Sequence, residues 1–285
     1  MFKHNTQVVC TYANRENTLV GIVCRFSGAK MIRIQQTYPL STQTFAYNFC
    51  HRIIVPNQFI YNTLLFNGIS QDTINIIPEL ISKQSTKKKI SSINLRKHFN
   101  IDAKTLVLGV VESLRYVNRH RDIIEAFTHI KKERSAFLKA KLLIIGSGPQ
   151  KILIKELIAE KDMESDILLS DSITFTSSMY RELDCLIVPS LIESSGYNIL
   201  AAYQANVPVI VSDAGCLKEY VEEEVTGLIF KKGDAIDLEK KIKTLIDRSD
   251  LRRKMSEYIP QYIEEYFSPY KLIQTYEKLF TSILK

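Results

Sequence analysis

The 285-residue chain has no apolar run approaching the roughly 18 residues that cross a bilayer. Its longest apolar runs, Leu106–Val111, Lys141–Ile145 and Cys185–Val188, are strand-sized. No pair among its five cysteines (Cys10, Cys24, Cys50, Cys185, Cys216) has C-x-x-C spacing, and the number is odd. That argues against a disulfide framework and for a reducing cytoplasm, with the thiols as small buried hydrophobes. No secretion signal is expected from these first residues, since Lys3, His4, Asn5 and Thr6 precede only a short apolar run. Charge of one sign is scarce too: 38 Lys and Arg against 31 Asp and Glu leave +7. This mild excess suits an anionic ligand or an anionic membrane surface. No helix-turn-helix, zinc spacing or aromatic RNA-binding signature accompanies it, which argues against a nucleic-acid partner. P-loop, H-E-x-x-H and G-x-S-x-G patterns are missing. The histidines show no ligand spacing and there is no Asp-x-Asp pair, so no metal site and no cofactor are expected.

What is present is alternation. Strand-length runs at Val8–Tyr12, Met31–Ile34, Arg52–Val55 and Thr73–Ile77 are separated by helical patterns at Glu16–Phe26, Thr42–Phe49 and Asn57–Phe66. The polar, lysine-rich stretch 82–92 reads as a linker. A second series follows, with strands at Leu106–Val111, Lys141–Ile145, Ile173–Phe175, Cys185–Val188, Pro208–Val211 and Gly227–Phe230. Helices are expected at Arg121–Lys132, Lys151–Glu160, Tyr197–Tyr203, Leu217–Val221, Ala235–Asp247, Leu251–Tyr258 and Pro269–Ile283. The pattern implies two Rossmann-like, doubly wound α/β domains with ligands beyond the carboxyl ends of the strands. The boundaries fall at 1–81, 93–267 and a C-terminal helix, 268–285.

Gly146-Ser147-Gly148-Pro149 joins a strand to a helix, but Lys151 stands where the dinucleotide fingerprint needs a third glycine. A tight turn explains it, and such a turn can still border a nucleotide. The informative stretch is Val188–Gly227. A strand ends at Pro189, Glu193 follows on the loop, and Ser194, Ser195 and Gly196 open a helix through Tyr197 and Asn198. Backbone N–H groups at a helix start favour an anion, whereas a carboxylate there suits sugar hydroxyls.

This stretch resembles the hallmark of the retaining group 1 (family four) glycosyltransferases of GT-B fold. Pro189, Ser190, Glu193, Gly196, Ala202, Pro208, Val209, Ile210, Ser212, Asp213, Gly215, Val221 and Gly227 match it in order and spacing. The resemblance extends to Leu95–Ile101, Asp122–Phe127 and Phe267 onward. Upstream, Arg52–Pro56 and Ile76–Pro78 look like late strands of an acceptor domain whose first units are missing. It implies metal-independent transfer of a hexose-type sugar from a nucleoside-diphosphate sugar to a glycan or lipid-linked acceptor, with retention. Glu193 would contact donor hydroxyls, and the N–H groups of Ser195, Gly196 and Tyr197 would line the diphosphate. Ser194, Asn198, Gly146 and Ser147 would complete the donor site. The expected setting is cytoplasmic, peripheral on the inner membrane face, in lipopolysaccharide or capsule synthesis, with homo- or hetero-oligomers expected.

The departures cluster at the chemistry. The family's ribose-binding glutamate falls on Ala201. Its two diphosphate-binding cations fall on Ser113 and Asn118, leaving Arg115 or Arg119 to substitute. The acceptor-side histidine falls on Gln36. A catalytically inactive, glycosyltransferase-like subunit or binding protein is the alternative.

Overall fold

The computed structural model describes residues 6–12, 17–37, 44–79, 94–134, 139–170 and 177–284. Two compact units emerge: residues 1–81 with 267–285, and residues 82–266.

The smaller unit runs β1 (Val8–Thr11), α1 (Asn17–Ser27), β2 (Lys30–Ile34), β3 (Arg52–Val55), α2 (Gln58–Phe66) and β4 (Ile74–Ile76). The strands pair in parallel in the order β1-β2-β3-β4. Side chains alternate across the sheet, as the period of two requires. Met31, Ile53 and Val55 face one side and pack on Ile60 and Leu64 of α2. Ile32, Ile34 and Ile54 face the other. The stretch expected to be helical from Thr42 is a short 3-10 segment, Thr44–Phe49. Helix α2 starts where its sequence says: the Asn57 side chain accepts from the Ile60 N–H at 3.0 Å, a cap worth about 1 kcal/mol. It stops at Asn67-Gly68, where Gly68 takes φ +82°.

The larger unit runs α3 (Leu95–His98), β5 (Leu106–Val111), α4 (His120–Arg134), β6 (Ala140–Ile145), α5 (Lys151–Glu160), β7 (Ile167–Ser170), α6 (Ser177–Tyr180), β8 (Cys185–Val188), α7 (Tyr197–Gln204), β9 (Val209–Ser212), β10 (Gly227–Phe230), α8 (Ala235–Asp247) and α9 (Ser249–Tyr266). Its parallel sheet is ordered β10-β9-β8-β5-β6-β7. The expected strand Ile173–Phe175 lies outside the described residues, and the third strand in sequence is Ile167–Ser170, paired with β6. Leu217–Tyr220 is a 3-10 turn rather than a helix. Helix α9 continues through Pro260, although proline removes one backbone donor and usually ends a helix. Met255, Ile259 and Tyr262 are buried on one face, and that packing carries the helix past it. The core joins Leu108, Ile144, Cys185 and Ile210 of the sheet to Phe127 of α4 and Leu238 and Ile242 of α8.

The last helix, α10 (Pro269–Leu284), belongs to the smaller unit. Leu272, Leu279 and Ile283 cover Ile32, Ile34 and Ile54 of the sheet. Burying each such side chain contributes about 1.5–3 kcal/mol. No described helix is long and apolar enough to cross a membrane. The architecture is α/β with two parallel sheets, the first smaller.

Candidate functional site

Strand order in the larger unit reverses between β5 and β8: β5 is followed by β6 on one side, while β8 pairs on the other. A crevice opens at such a switch point, between the loops leaving the two strands. The loops are residues 112–119 after β5 and 189–196 after β8, and α7 begins directly after the second.

Glycines set the spacing of these loops. A Cβ on Gly146 would lie 1.8 Å from the Glu112 carbonyl oxygen, and one on Gly148 would lie 2.5 Å from that of Leu114. The two turns therefore lie backbone to backbone, joined by Leu114 N–H to Ser147 O at 2.9 Å. Gly215, at φ +54°, approaches the Glu193 backbone equally closely. The Cys216 N–H donates to Glu193 O at 3.1 Å and holds the glutamate's backbone in place.

The Glu193 side chain is clamped by its own loop. Its Oε1 accepts from the N–H groups of Ser194, at 3.0 Å, and Ser195, at 3.3 Å. Burial raises its pKa, and these two N–H bonds pull it back down. The Tyr197 N–H donates to Ser195 Oγ at 3.2 Å. Two of the three N–H groups expected to line a diphosphate, those of Ser195 and Tyr197, are thus turned onto side chains of the loop itself. Asn198 ties the start of α7 to the end of β5: its amide donates to Val111 O at 2.9 Å and accepts from the Tyr180 hydroxyl at 3.2 Å.

The loop after β5 carries no free cation in the expected positions. Asn118 is buried and donates to Ser113 O at 2.7 Å and to Ser113 Oγ at 3.1 Å, so the two substituted positions hydrogen bond to each other. Arg119 is paired with Asp122 at 2.7 Å and its guanidinium lies over the Tyr116 ring. Arg115 is exposed. Ala201 is buried in α7.

One residue of this site escaped the sequence reading. Glu112 directly follows β5 and is 7% exposed. Its Oε2 accepts from the Ser190 hydroxyl at 3.0 Å, and its Oε1 is buried with no hydrogen-bond partner within 3.5 Å among the described residues. Burial, reinforced by the nearby Glu193 carboxylate and partly offset by the Ser190 hydroxyl and the Asn198 amide, pushes its pKa up to about 8. At neutral pH it is mainly the uncharged acid, and so a hydrogen-bond donor. The available signal was a lone carboxylate ending an otherwise wholly apolar strand.

Gln36 lies in the smaller unit, just beyond β2, where it lines a cavity with Ile34 and Ile54. Among the described residues no cluster of three or more His, Cys, Asp or Glu side chains is arranged to hold a metal ion.

Comparisons with known proteins bear on the family and the fold. The family profile described as "Glycosyl transferases group 1" matches residues 91–262. N-acetyl-alpha-D-glucosaminyl L-malate synthase of Bacillus anthracis is 23% identical over 286 residues, covering 100% of this chain and 70% of its own length. A glycosyltransferase of Rickettsia africae superposes with a TM-score of 0.85 at 18% identity, over 100% of this chain and 78% of its own. Anabaena HepE, solved in complex with UDP-glucose, gives 0.79 at 16% identity over 96% and 78%. The fold of this chain is GT-B-like.

Proposed function

Because the chain belongs to the group 1 glycosyltransferases, we propose that it moves a hexose-type sugar from a nucleoside-diphosphate sugar to a hydroxyl of a glycan or lipid-linked acceptor. Transfer proceeds with retention and without a metal, at the cytoplasmic face of a membrane. The observation that carries this reading is the clamped carboxylate: Glu193 is fixed through one oxygen at the start of α7. Its Oε2 remains to accept from donor-sugar hydroxyls. The relative solved with UDP-glucose supports the choice of donor class.

As the bond to the diphosphate breaks, negative charge grows on the leaving group. Donors aimed at that charge in advance lower the barrier. Here Gly196 N–H, the exposed Arg115 and the neutral Glu112 carboxyl are the groups of this chain suited to that task. The test is a calorimetric titration with nucleoside diphosphates and their sugar conjugates. Saturable binding of one conjugate is expected. Glu193→Ala should weaken it and lower turnover on the order of 10²–10³-fold, or about 3 kcal/mol.

A second reading is favoured by the Ser113–Asn118 hydrogen bond, which fills the place of two cations with a neutral pair. On it the chain binds a nucleotide sugar without turning it over, or serves as a subunit. Saturable binding of a conjugate without turnover would move the assignment to the binding form of this reading, and silence of every conjugate, with the protein folded, to its subunit form.

A further inference from the structure

The two units share the protein's charge unequally. The smaller one carries nine Lys and Arg against four Asp and Glu, and so +5 of the +7 total. Part of this excess gathers at the amino ends of its strands, away from the ends where ligands of parallel sheets bind. There a cavity of 370 Å³, within the range of small-molecule sites, opens between the end of α1 and the starts of β2 and β3. Arg25 lines it from the last turn of α1, Lys30 from the first residue of β2 and His51 from the residue ahead of β3. Arg52 is the next residue, and its Nη1 donates to the His51 carbonyl at 2.8 Å. The His51 ring is fixed as well: its Nδ1 accepts from the Met31 N–H at 3.2 Å, which leaves the Nε2 proton as a donor. Gly21 lets α1 close onto Phe49, which also lines the cavity, since a Cβ at Gly21 would lie 2.4 Å from Phe49 Cβ.

No carboxylate balances this group. Among the described residues none of Arg25, Lys30, His51 and Arg52 is ion-paired, and no acid lines the cavity. Glu79 and Glu277 line a different cavity, at the other end of the sheet. Asp72, ahead of β4, forms no ion pair among the described residues. Glu16 stands ahead of α1 in the sequence, and Arg25 is at that helix's far end. Segments 1–5 and 38–43 contain no Asp or Glu. The carbonyls that end α1 supply about half a negative charge, against three permanent positive ones. Burial lowers the His51 pKa, and Lys30 and Arg52 press it down further, as crowded like charges do. An anion relieves that repulsion and a cation adds to it. A carboxylate brings a single charge, whereas a phosphoryl group brings close to two and three acceptor oxygens for guanidinium and ammonium donors. We propose that this cavity binds a small phosphoryl dianion, free phosphate or a phosphomonoester. The site shares no residue with the donor loops of the larger unit or with the cavity at the carboxyl ends of the smaller unit's strands. Its ligand is therefore held beside the reaction rather than consumed by it.

The test is calorimetry on the full chain at low ionic strength, with inorganic phosphate, glycerol 3-phosphate and acetate as probes. Both phosphates should bind saturably, and acetate at least tenfold more weakly. Arg25 is exposed and Lys30 partly so, and the double variant Arg25→Gln with Lys30→Gln should therefore fold normally. A melting temperature no lower than the parent's checks this. The variant lacks two charge-assisted hydrogen bonds and should bind phosphate on the order of 10²-fold more weakly. Lys30→Arg keeps the charge and should keep the binding. The titration is repeated with excess UDP, which occupies the donor loops of the larger unit, and the phosphate affinity should not change. Silence of both phosphates up to about 10 mM overturns the proposal. So does acetate binding as tight as phosphate, or an unchanged phosphate affinity in the double variant. Loss of phosphate binding in the presence of UDP would place the phosphate on the donor loops and overturns it too. Vesicles of phosphatidic acid, set against vesicles of phosphatidylcholine, separate a free ligand from a lipid headgroup. Sedimentation with the former, without saturable binding of free phosphate, would assign the cluster to a membrane surface and likewise overturns the proposal.

Discussion

Helices α1 and α4 each follow the first strand of their unit, and they bury their apolar residues very differently. In α4, Ile123, Ile124, Phe127 and Ile130 are all fully buried, between the sheet and α8. In α1, Leu19 is 70% and Phe26 83% exposed, with Ile22 and Val23 also open. These four fall at i, i+3, i+4 and i+7, so they form a stripe on one side of the helix. The opposite side, through Asn17, Gly21 and Cys24, faces the protein. The same periodicity therefore yields a core helix in one unit and a half-dressed one in the other. Amphipathic spacing states which residues share a face, and neighbours decide whether that face is covered.

Deletion of a side chain breaks the comparison most directly. Phe127→Ala should cost about 3–5 kcal/mol, because it removes an aromatic ring from a closed core. Leu19→Ala should change stability by less than about 0.5 kcal/mol, as an exposed site does. Urea unfolding of the two variants reads both values. A comparable loss for Leu19→Ala would show that its face is covered.

The next effect comes from buried titratable groups, both of which lie in the larger unit's loop and helix after β5. Folded Glu112 keeps its proton up to about pH 8, whereas the unfolded chain gives it up near 4.5. Its share of stability therefore falls as pH rises through that window. His120 behaves oppositely. Both its ring nitrogens are buried without hydrogen-bond partners among the described residues, and burial lowers its pKa to about 4. The unfolded chain binds that proton below about 6.5, so stability rises with pH between about 4 and 6.5. The two slopes cancel from about pH 4.5 to 6.5. Above that, Glu112 acts alone, and its contribution declines by about 2 kcal/mol between pH 6.5 and 8. Glu112→Gln should abolish the decline in a series of urea titrations. Persistence of the decline in the variant would assign it to another group.

Much of the larger unit was legible because its signals are local. Lys151–Glu160 and Ala235–Asp247 are helices at the residues where apolar spacing places them, and in the structure the Asp234 side chain caps the second. Glu193 and the small residues after it could be read as a strand-to-helix loop with a carboxylate, and the structure forms that loop. Glu112 was not legible, since a glutamate after an apolar strand reads as a solvated loop residue. Only the tertiary approach of Ser190 and Glu193 turns it into a buried acid. The Ser113–Asn118 bond was hidden for the same reason: sequence shows the missing cations but not that their replacements pair. The helix expected over Leu251–Tyr258 runs on through Pro260 to Tyr266, because distant packing outweighs a local helix breaker.

A gain-of-function change sharpens the contrast at the donor loop. Ser113 is exposed, and Asn118 keeps its 2.7 Å bond to the Ser113 backbone oxygen whatever side chain stands there. Ser113→Arg should therefore fold normally and return a cation to the loop. A charge-assisted hydrogen bond contributes about 1.5 kcal/mol, so affinity for UDP should rise about tenfold. Unchanged affinity would place the diphosphate away from this loop.

The smallest effect on stability is expected on the stripe of α1, and it isolates coverage from folding. Leu19→Glu with Phe26→Lys replaces the two most exposed apolar side chains of the helix, and each charge matches its end of the helix dipole. Neither loses packing, because neither has much to lose. They stand seven positions apart, too far to pair along the helix in the manner of residues three or four apart. Their stability effect should stay within about 0.5 kcal/mol. Exposed apolar patches drive association, however, so solution behaviour should move while stability does not. Light scattering against concentration should show less self-association in the double variant, at an unchanged melting temperature. A melting temperature that fell with the substitution would mean that the stripe is buried against a neighbour in solution, and the difference between α1 and α4 would then be one of partner rather than of coverage.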